Sequence, residues 1–253
     1  MNDVIEGIVG KTASGQRSRT PARLDFLQSA TGLFLALFMW AHMFFVSSIL
    51  ISKDFMYAVT KFFEGAWFIE NGEPLIVTLA AAFVSVIFVT HAGLAARKFP
   101  VTYRQFRAYR SHMKMMKHTD TNLWFIQAVT GFSMFFLGSI HLYTVMARPD
   151  EIGPYASADQ TVGDMMWPLY ILLLLTVELH GAIGLYRLCV KWGWFEGKNA
   201  NETRKKLRRV MWAIAIFFTT LGSLTLATYI KIGVEHADHA GERYVPASER
   251  AAQ

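Results

Sequence analysis

Residues 26–52 read FLQSATGLFLALFMWAHMFFVSSILIS, 27 positions between Asp25 and Lys53 without one Asp, Glu, Lys or Arg. A helix needs roughly 20 apolar residues, at about 1.5 Å rise each, to cross about 30 Å of hydrocarbon. This stretch is long enough. The same charge-free character recurs over 74–96, 121–147 and 210–230, and over 165–186 with Glu178 as the one interruption. No stretch shows the alternation of barrel strands, and lipid admits only helices or closed barrels. The fold class is therefore an all-α membrane protein. It forms one domain over 1–253, a bundle of five transmembrane helices at approximately 24–52, 74–98, 121–148, 164–191 and 205–231.

Prolines mark several ends. Glu73-Pro74 suits the first turn of the second helix, where proline loses no hydrogen bond, and Phe99-Pro100 closes that helix. Trp167-Pro168 stands early in the fourth. The connection 97–120 is polar and basic, and the spacing of Tyr103, Phe106 and Tyr109 suits a short interfacial helix. A membrane-surface loop is the preferred reading of it.

Basic residues set the orientation. With the N-terminus inside, the inner segments carry Lys11, Arg17, Arg19 and Arg23, then seven cations from Arg97 to Lys117 and eight from Arg187 to Arg209. The outer segments carry Lys53, Lys61, Arg148, Lys231, Arg243 and Arg250, so 19 cations face 6 in a clear positive-inside bias. The net charge of +6 reflects topology, and no nucleic-acid partner is expected. An acidic protein or anionic membrane lipid could meet the basic inner face. The polar first 22 residues imply no cleaved signal peptide, and the polar tail from Glu235 is expected outside. Cys189 is the only cysteine, which excludes an internal disulfide and a cysteine-bound iron–sulfur cluster within the chain.

Four of the eight histidines, His42, His91, His141 and His180, lie one apiece in the first four segments. Imidazole in hydrocarbon demands a partner and is the commonest metal ligand. His42 and His141 follow Asp25 and Asp120 by 17 and 21 residues on outward-running helices, which places both toward the outer face. His91 and His180 precede Arg97 and Arg187 by six and seven residues on inward-running helices, toward the inner face. Two tiers result, about 10–15 Å apart along the membrane normal. Two bis-histidine haems fit this pattern, making the chain a membrane electron conduit. The competing role, helix–helix hydrogen bonding, does not require one histidine per helix in two depth-matched pairs. Gly138, Gly181 and Gly184 are candidates to let a porphyrin approach the backbone. His112, His118, His236 and His239 fall in loops or the tail and read as solvated, while Phe34, Phe38 and Phe45 read as packing or lipid-facing surface.

An internal repeat supports the pairing. Gln28-Ser29-Ala30-Thr31-Gly32 is echoed by Gln127-Ala128-Val129-Thr130-Gly131, and in both copies a histidine follows ten residues after the glycine. His91-Ala92-Gly93-Leu94 and His180-Gly181-Ala182-Ile183 are more loosely alike. Two copies of a helical hairpin would each give two ligands, although short similarity between apolar helices also arises by chance.

The run from Leu24 to Leu35, the stretch from Ala41 to Ser47, and Val177-Glu178-Leu179-His180 followed by Gly184-Leu185-Tyr186-Arg187 closely resemble the dihaem cytochrome b subunit of bacterial quinol:fumarate reductases, from about Arg17 to Tyr229. The resemblance implies a five-helix anchor in the bacterial cytoplasmic (inner) membrane, carrying two haems b. Its partners would be an iron–sulfur subunit and an FAD-containing flavoprotein on the inner face, reducing fumarate with electrons from menaquinol. A dimer of such heterotrimers is left open. It further implies His42 with His141 for the outer, distal haem and His91 with His180 for the inner, proximal one. Glu64 would be the carboxylate that accepts a proton at the menaquinol site, although the residues alone do not separate it from Glu70 or Glu73. Gln28, Ser29, Trp124 and Lys191 would meet the proximal haem's propionates. Lys191 is the strongest on charge, and Trp124 is equally suited to an interfacial belt. Glu178 is the one formal acid inside a transmembrane segment and two residues from His180, so it points away from that ligand. The resemblance places it on a transmembrane proton route; a buried acid binding two helices together is the alternative.

The same parts run backward would make a succinate:menaquinone reductase. A hydrogenase or formate dehydrogenase cytochrome b, whose iron–sulfur partner docks outside, is another enzyme reading, and a haem-free anchor or transporter belongs to a different class. Cytochrome b of quinol:cytochrome c reductases is disfavoured, because it carries two ligands on each of two helices.

Overall fold

The computed structural model describes residues 18–100, 102–116 and 119–250. Lys11, Arg17, Lys117 and His118, which entered the charge and histidine arguments, lie outside the described residues. The helices are α1 Thr20–Val46, α2 Lys53–Phe63, α3 Leu75–Ala96, α4 Tyr103–Met116, α5 Thr119–Ala147, α6 Ala156–Val162, α7 Trp167–Trp192, α8 Ala200–Glu235 and α9 Ala247–Arg250, and no strand occurs among the described residues. Five of them, α1 with the 3-10 turn Ser47–Leu50, α3, α5, α7 and α8, are long and apolar enough to span a membrane.

Local chemistry explains these elements. Hydroxyls inside the spans bond back to carbonyls one turn earlier, as in Thr31 to Leu27, Ser85 to Ala81, Thr130 to Ile126 and Thr225 to Leu221. In hydrocarbon no water would satisfy them, so the helix does. Pro168 sits in the first turn of α7, and Gly193 ends that helix at φ +66°, its N–H donating to the Cys189 carbonyl. The fifth span is longer than its charge-free core suggests, Ala200–Glu235 against 205–231. Asn199 caps it by accepting from the Asn201 and Glu202 amides, and no glycine or proline interrupts its charged first turns. The connection 97–120 is not the loop preferred from sequence. It holds α4, whose Tyr109 packs edge-on against Trp124 of α5 with centroids 4.9 Å apart. Basic side chains in α4 sit comfortably at an interface, so polarity did not argue against a helix.

Helices α1, α3, α5 and α7 pack as neighbours in a ring, with α7 closing back on α1 and α8 leaning on α7 and α1 from outside. Two diagonals follow, α1 opposite α5 and α3 opposite α7. One buried apolar cluster, Leu123, Ala182, Ile183, Tyr186, Met211 and Ala215, ties α5, α7 and α8 toward the basic end. A second, Ile49, Met56, Ala158, Tyr229 and Ile232, ties the opposite end.

The tail is fastened to that opposite end, and His236 there contradicts its reading as solvated. It is 7% exposed, its Nδ1 lies 2.9 Å from Asp159 Oδ1, and it stacks on Tyr155 at 4.0 Å. The short helix α6, which the charge map did not reveal, delivers Asp159, and Gly233 lets the two helices touch: a Cβ there would meet the Ala158 carbonyl at 2.5 Å. The Ala247 amide and the Tyr244 hydroxyl donate to Asp54, holding its carboxyl below the usual range.

Candidate functional site

The diagonal helices each contribute one histidine to a pair. Ring centres of His42 on α1 and His141 on α5 stand 6.1 Å apart, and those of His91 on α3 and His180 on α7 stand 6.4 Å apart. An iron bonded to one nitrogen of each ring at about 2 Å, with about 1.2 Å from nitrogen to ring centre, needs roughly 6 Å between centres. Both pairs meet that requirement. Among the described residues no group of three or more His, Cys, Asp or Glu gathers in one place. Two imidazoles are too few for a bare ion and suffice where a porphyrin supplies the remaining nitrogens.

The ring orientations are held from behind. His180 Nδ1 donates to the Gln127 carbonyl at 2.9 Å, and His91 Nδ1 pairs with the Thr31 hydroxyl at 3.1 Å, which leaves each Nε2 for a metal. His141 Nδ1 is buried without a partner among the described residues, and its ring stands edge-on to Tyr170. Two glycines make room for the inner pair: a Cβ on Gly32 would lie 2.8 Å from His91 Cε1, and one on Gly131 would lie 2.6 Å from His180 Cε1. A Cβ on Gly138, Gly181 or Gly184 would instead meet the side chains of Phe88, Met39 and Gln127. The Gly–His spacing of ten residues therefore has a use in both copies. Each repeat helix gives a glycine to the inner tier and, about 15 Å further along, a histidine to the outer one.

At the basic end Lys191 Nζ donates to Ser29 Oγ at 3.2 Å and to the Asp25 carbonyl at 3.3 Å. The Asp25 carboxylate also draws Arg97 at 2.7 Å and Lys98 at 2.8 Å, which concentrates cations around Lys191. Gln28 Oε1 and Arg97 Nη1 are buried there without partners among the described residues. The donor set suits a carboxylate ligand such as a haem propionate. Trp124 packs with Phe99 and Tyr109, as a belt residue would.

Glu178 is fully buried on the side of α7 away from its neighbour His180. The Trp40 indole of α1 stacks on Phe218 of α8 with ring centres 5.4 Å apart. Both carboxyl oxygens of Glu178 and the Trp40 indole nitrogen are buried without a hydrogen-bond partner among the described residues. An orphaned buried carboxyl is costly unless water or a proton completes it.

Glu64 ends α2 at the opposite face, 4% exposed, while Glu70 and Glu73 are exposed. That burial separates three acids which the sequence left equal. Its Oε2 takes a 2.7 Å ion pair from Lys61, whose ammonium also reaches the Asn71 carbonyl. The loop closes over it through Gly72 at φ +74°, where a Cβ would meet Glu64 Cβ at 2.8 Å. Phe62, Phe63, Trp67 and Phe68 around it expose their rings, an apolar surface beside a buried carboxylate.

A family model described as the transmembrane subunit of succinate dehydrogenase/fumarate reductase matches residues 104–221. Fumarate reductase cytochrome b subunits from two strains of Helicobacter pylori are each 54% identical over 237 residues, 94% of this chain and 91% of the relative. The fumarate reductase cytochrome b subunit of Wolinella succinogenes is 51% identical over 235 residues, 93% of this chain and 92% of the relative.

Proposed function

Because the chain belongs to the fumarate reductase cytochrome b subunits, we propose that it oxidises menaquinol near the outer face of the bacterial cytoplasmic membrane and sends the electrons inward. They reach an iron–sulfur subunit docked on the basic face, and an FAD-containing flavoprotein beyond it reduces fumarate. The observation that carries this reading is the two diagonal histidine pairs at iron-binding separation in two tiers.

His42 and His141 would hold the distal haem b, and His91 and His180 the proximal one. When bound, the two irons supply reversible one-electron transfer at two depths, which divides the membrane crossing into short steps. Gln127 and Thr31 fix the imidazoles of the inner pair, and Gly131 and Gly32 let them stand in place. Gln28, Ser29 and Lys191, with Trp124 at the same end, would meet propionates of the proximal haem. At the outer face Glu64 accepts a proton from the quinol hydroxyl, and Lys61, about a third exposed, links that carboxylate to the aqueous side. Exposed aromatic rings around Glu64 receive the quinol from the lipid.

Electrons moving inward build a potential that costs each further charge about 2.3 kcal/mol per 100 mV, so turnover needs a compensating charge. Glu178, with both oxygens unspent at mid-membrane, is assigned to carry a proton inward. In sealed proteoliposomes Glu178→Gln should assemble with its spectrum intact and lose most menaquinol-linked activity, and an ionophore should restore part of the rate. Wild-type turnover against a membrane potential would leave Glu178 a packing residue.

The partner's side tests the direction of flow. Purification through this chain should bring down a flavin- and iron–sulfur-containing complex that reduces fumarate, and impermeant labelling should place those subunits on the face of Arg97 and Arg204. Partners on the face of Glu64 would point instead to a hydrogenase or formate dehydrogenase arrangement.

A further inference from the structure

At the basic face the ends of α5 and α8 diverge around a pocket of about 330 Å³ lined by Thr119, Asp120, Asn201, Arg204, Lys205 and Arg208. None of these residues belongs to the histidine pairs, to Glu64 or to Glu178. Asp120 accepts from the Tyr186 hydroxyl at 2.8 Å and faces Arg208 at 3.4 Å and Arg204 at 3.7 Å. One anchored carboxylate thus holds two guanidiniums together. A positive charge is left in excess, and each guanidinium, with about five N–H donors, has most of them unspent. Lys205 adds an ammonium paired with the exposed Glu202 at 2.9 Å. Asn199 already occupies the first-turn amides of α8, so side chains and not the helix end make this site.

Directly beyond the pocket the surface of α8 becomes apolar. Trp212 and Ile216 follow Arg208 by four and eight residues, on the same stripe of the helix, and are 44% and 64% exposed. They lie about 6 and 12 Å deeper in the membrane. A free anion would use the charges alone, whereas the stripe runs on from them along a helix that spans the membrane. A phospholipid uses both. We propose that the pocket binds the headgroup phosphate of an anionic phospholipid, with the Arg204 and Arg208 forks and the Lys205 ammonium on the phosphate and an acyl chain along Trp212 and Ile216.

The test uses the full chain, purified with its partner subunits and stripped of lipid in neutral detergent. Phosphatidylglycerol, phosphatidylcholine and inorganic phosphate are titrated, with bound molecules counted by native mass spectrometry and thermal unfolding followed in parallel. The expected result is a preference for phosphatidylglycerol over phosphatidylcholine of at least about tenfold, reduced about tenfold in Arg204→Gln/Lys205→Gln while the optical spectrum is unchanged. Lys205→Gln alone, at a side chain 56% exposed, should show a partial loss and keeps the test open should the double variant not assemble. Equal binding of the two lipids, or an unchanged preference in the variants, would overturn the proposal. So would inorganic phosphate binding as tightly as phosphatidylglycerol, which would make this a free-anion site.

Discussion

His42→Ala or His141→Ala removes about half of the haem b absorbance, leaving a single haem with unaltered axial ligands; His91→Ala or His180→Ala removes the other half. The expectation follows from the diagonals. Each pair draws one ring from each of two opposed helices, so deleting one ring strips an axial bond from one tier and leaves the other tier untouched. A companion variant probes the same geometry without deleting a ligand. In Gly131→Ala the new methyl would stand 2.6 Å from His180 Cε1, a distance that neither the ring, anchored on the Gln127 carbonyl, nor the helix can absorb without moving. The inner haem alone should be weakened or lost. Low-temperature optical and electron paramagnetic resonance spectra of the purified variants check both. Two normal bis-histidine signals in any of the four alanine variants would defeat the assignment of that ligand.

Glu64→Gln should lower menaquinol oxidation by about a hundredfold or more, the usual scale for removing a general base, with both haems bound. Glutamine keeps the length and the loop packing under Gly72. What it loses is the ability to take a proton and the 2.7 Å pair with Lys61. The pair itself is worth no more than about 1 kcal/mol at a partly exposed lysine, so the fold should stand. Fumarate reduction by an artificial donor to the partner subunits should be unchanged, which places the defect at the quinol. Menaquinol activity near wild type in this variant would exclude Glu64 as the proton acceptor.

The five spans were legible because charge is excluded from hydrocarbon, and a charge map reads that exclusion directly. The ring order was not legible. Sequence spacing gave the depth of His42, His91, His141 and His180, while the diagonal arrangement emerges only from which helices pack as neighbours. The purpose of the Gly32 and Gly131 repeats was visible as a pattern and hidden as a mechanism. A glycine ten residues from a histidine serves a ring on another helix, and that is a tertiary fact. Helix α4 was misread because polarity was weighed above the spacing of Tyr103, Phe106 and Tyr109. His236 was misread because a histidine in a polar tail carries no mark that Asp159 and Tyr155 will enclose it. Burial also raised Glu64 above Glu70 and Glu73, which no local pattern could do.

One haem on each histidine pair gives the bundle two. The most direct test of this is the molar ratio of haem b to chain in the purified native complex, by pyridine haemochrome against quantitative amino-acid analysis, combined with a redox titration. Two haems b per chain, titrating as two one-electron components, are expected. One haem per chain, or none, would contradict that count.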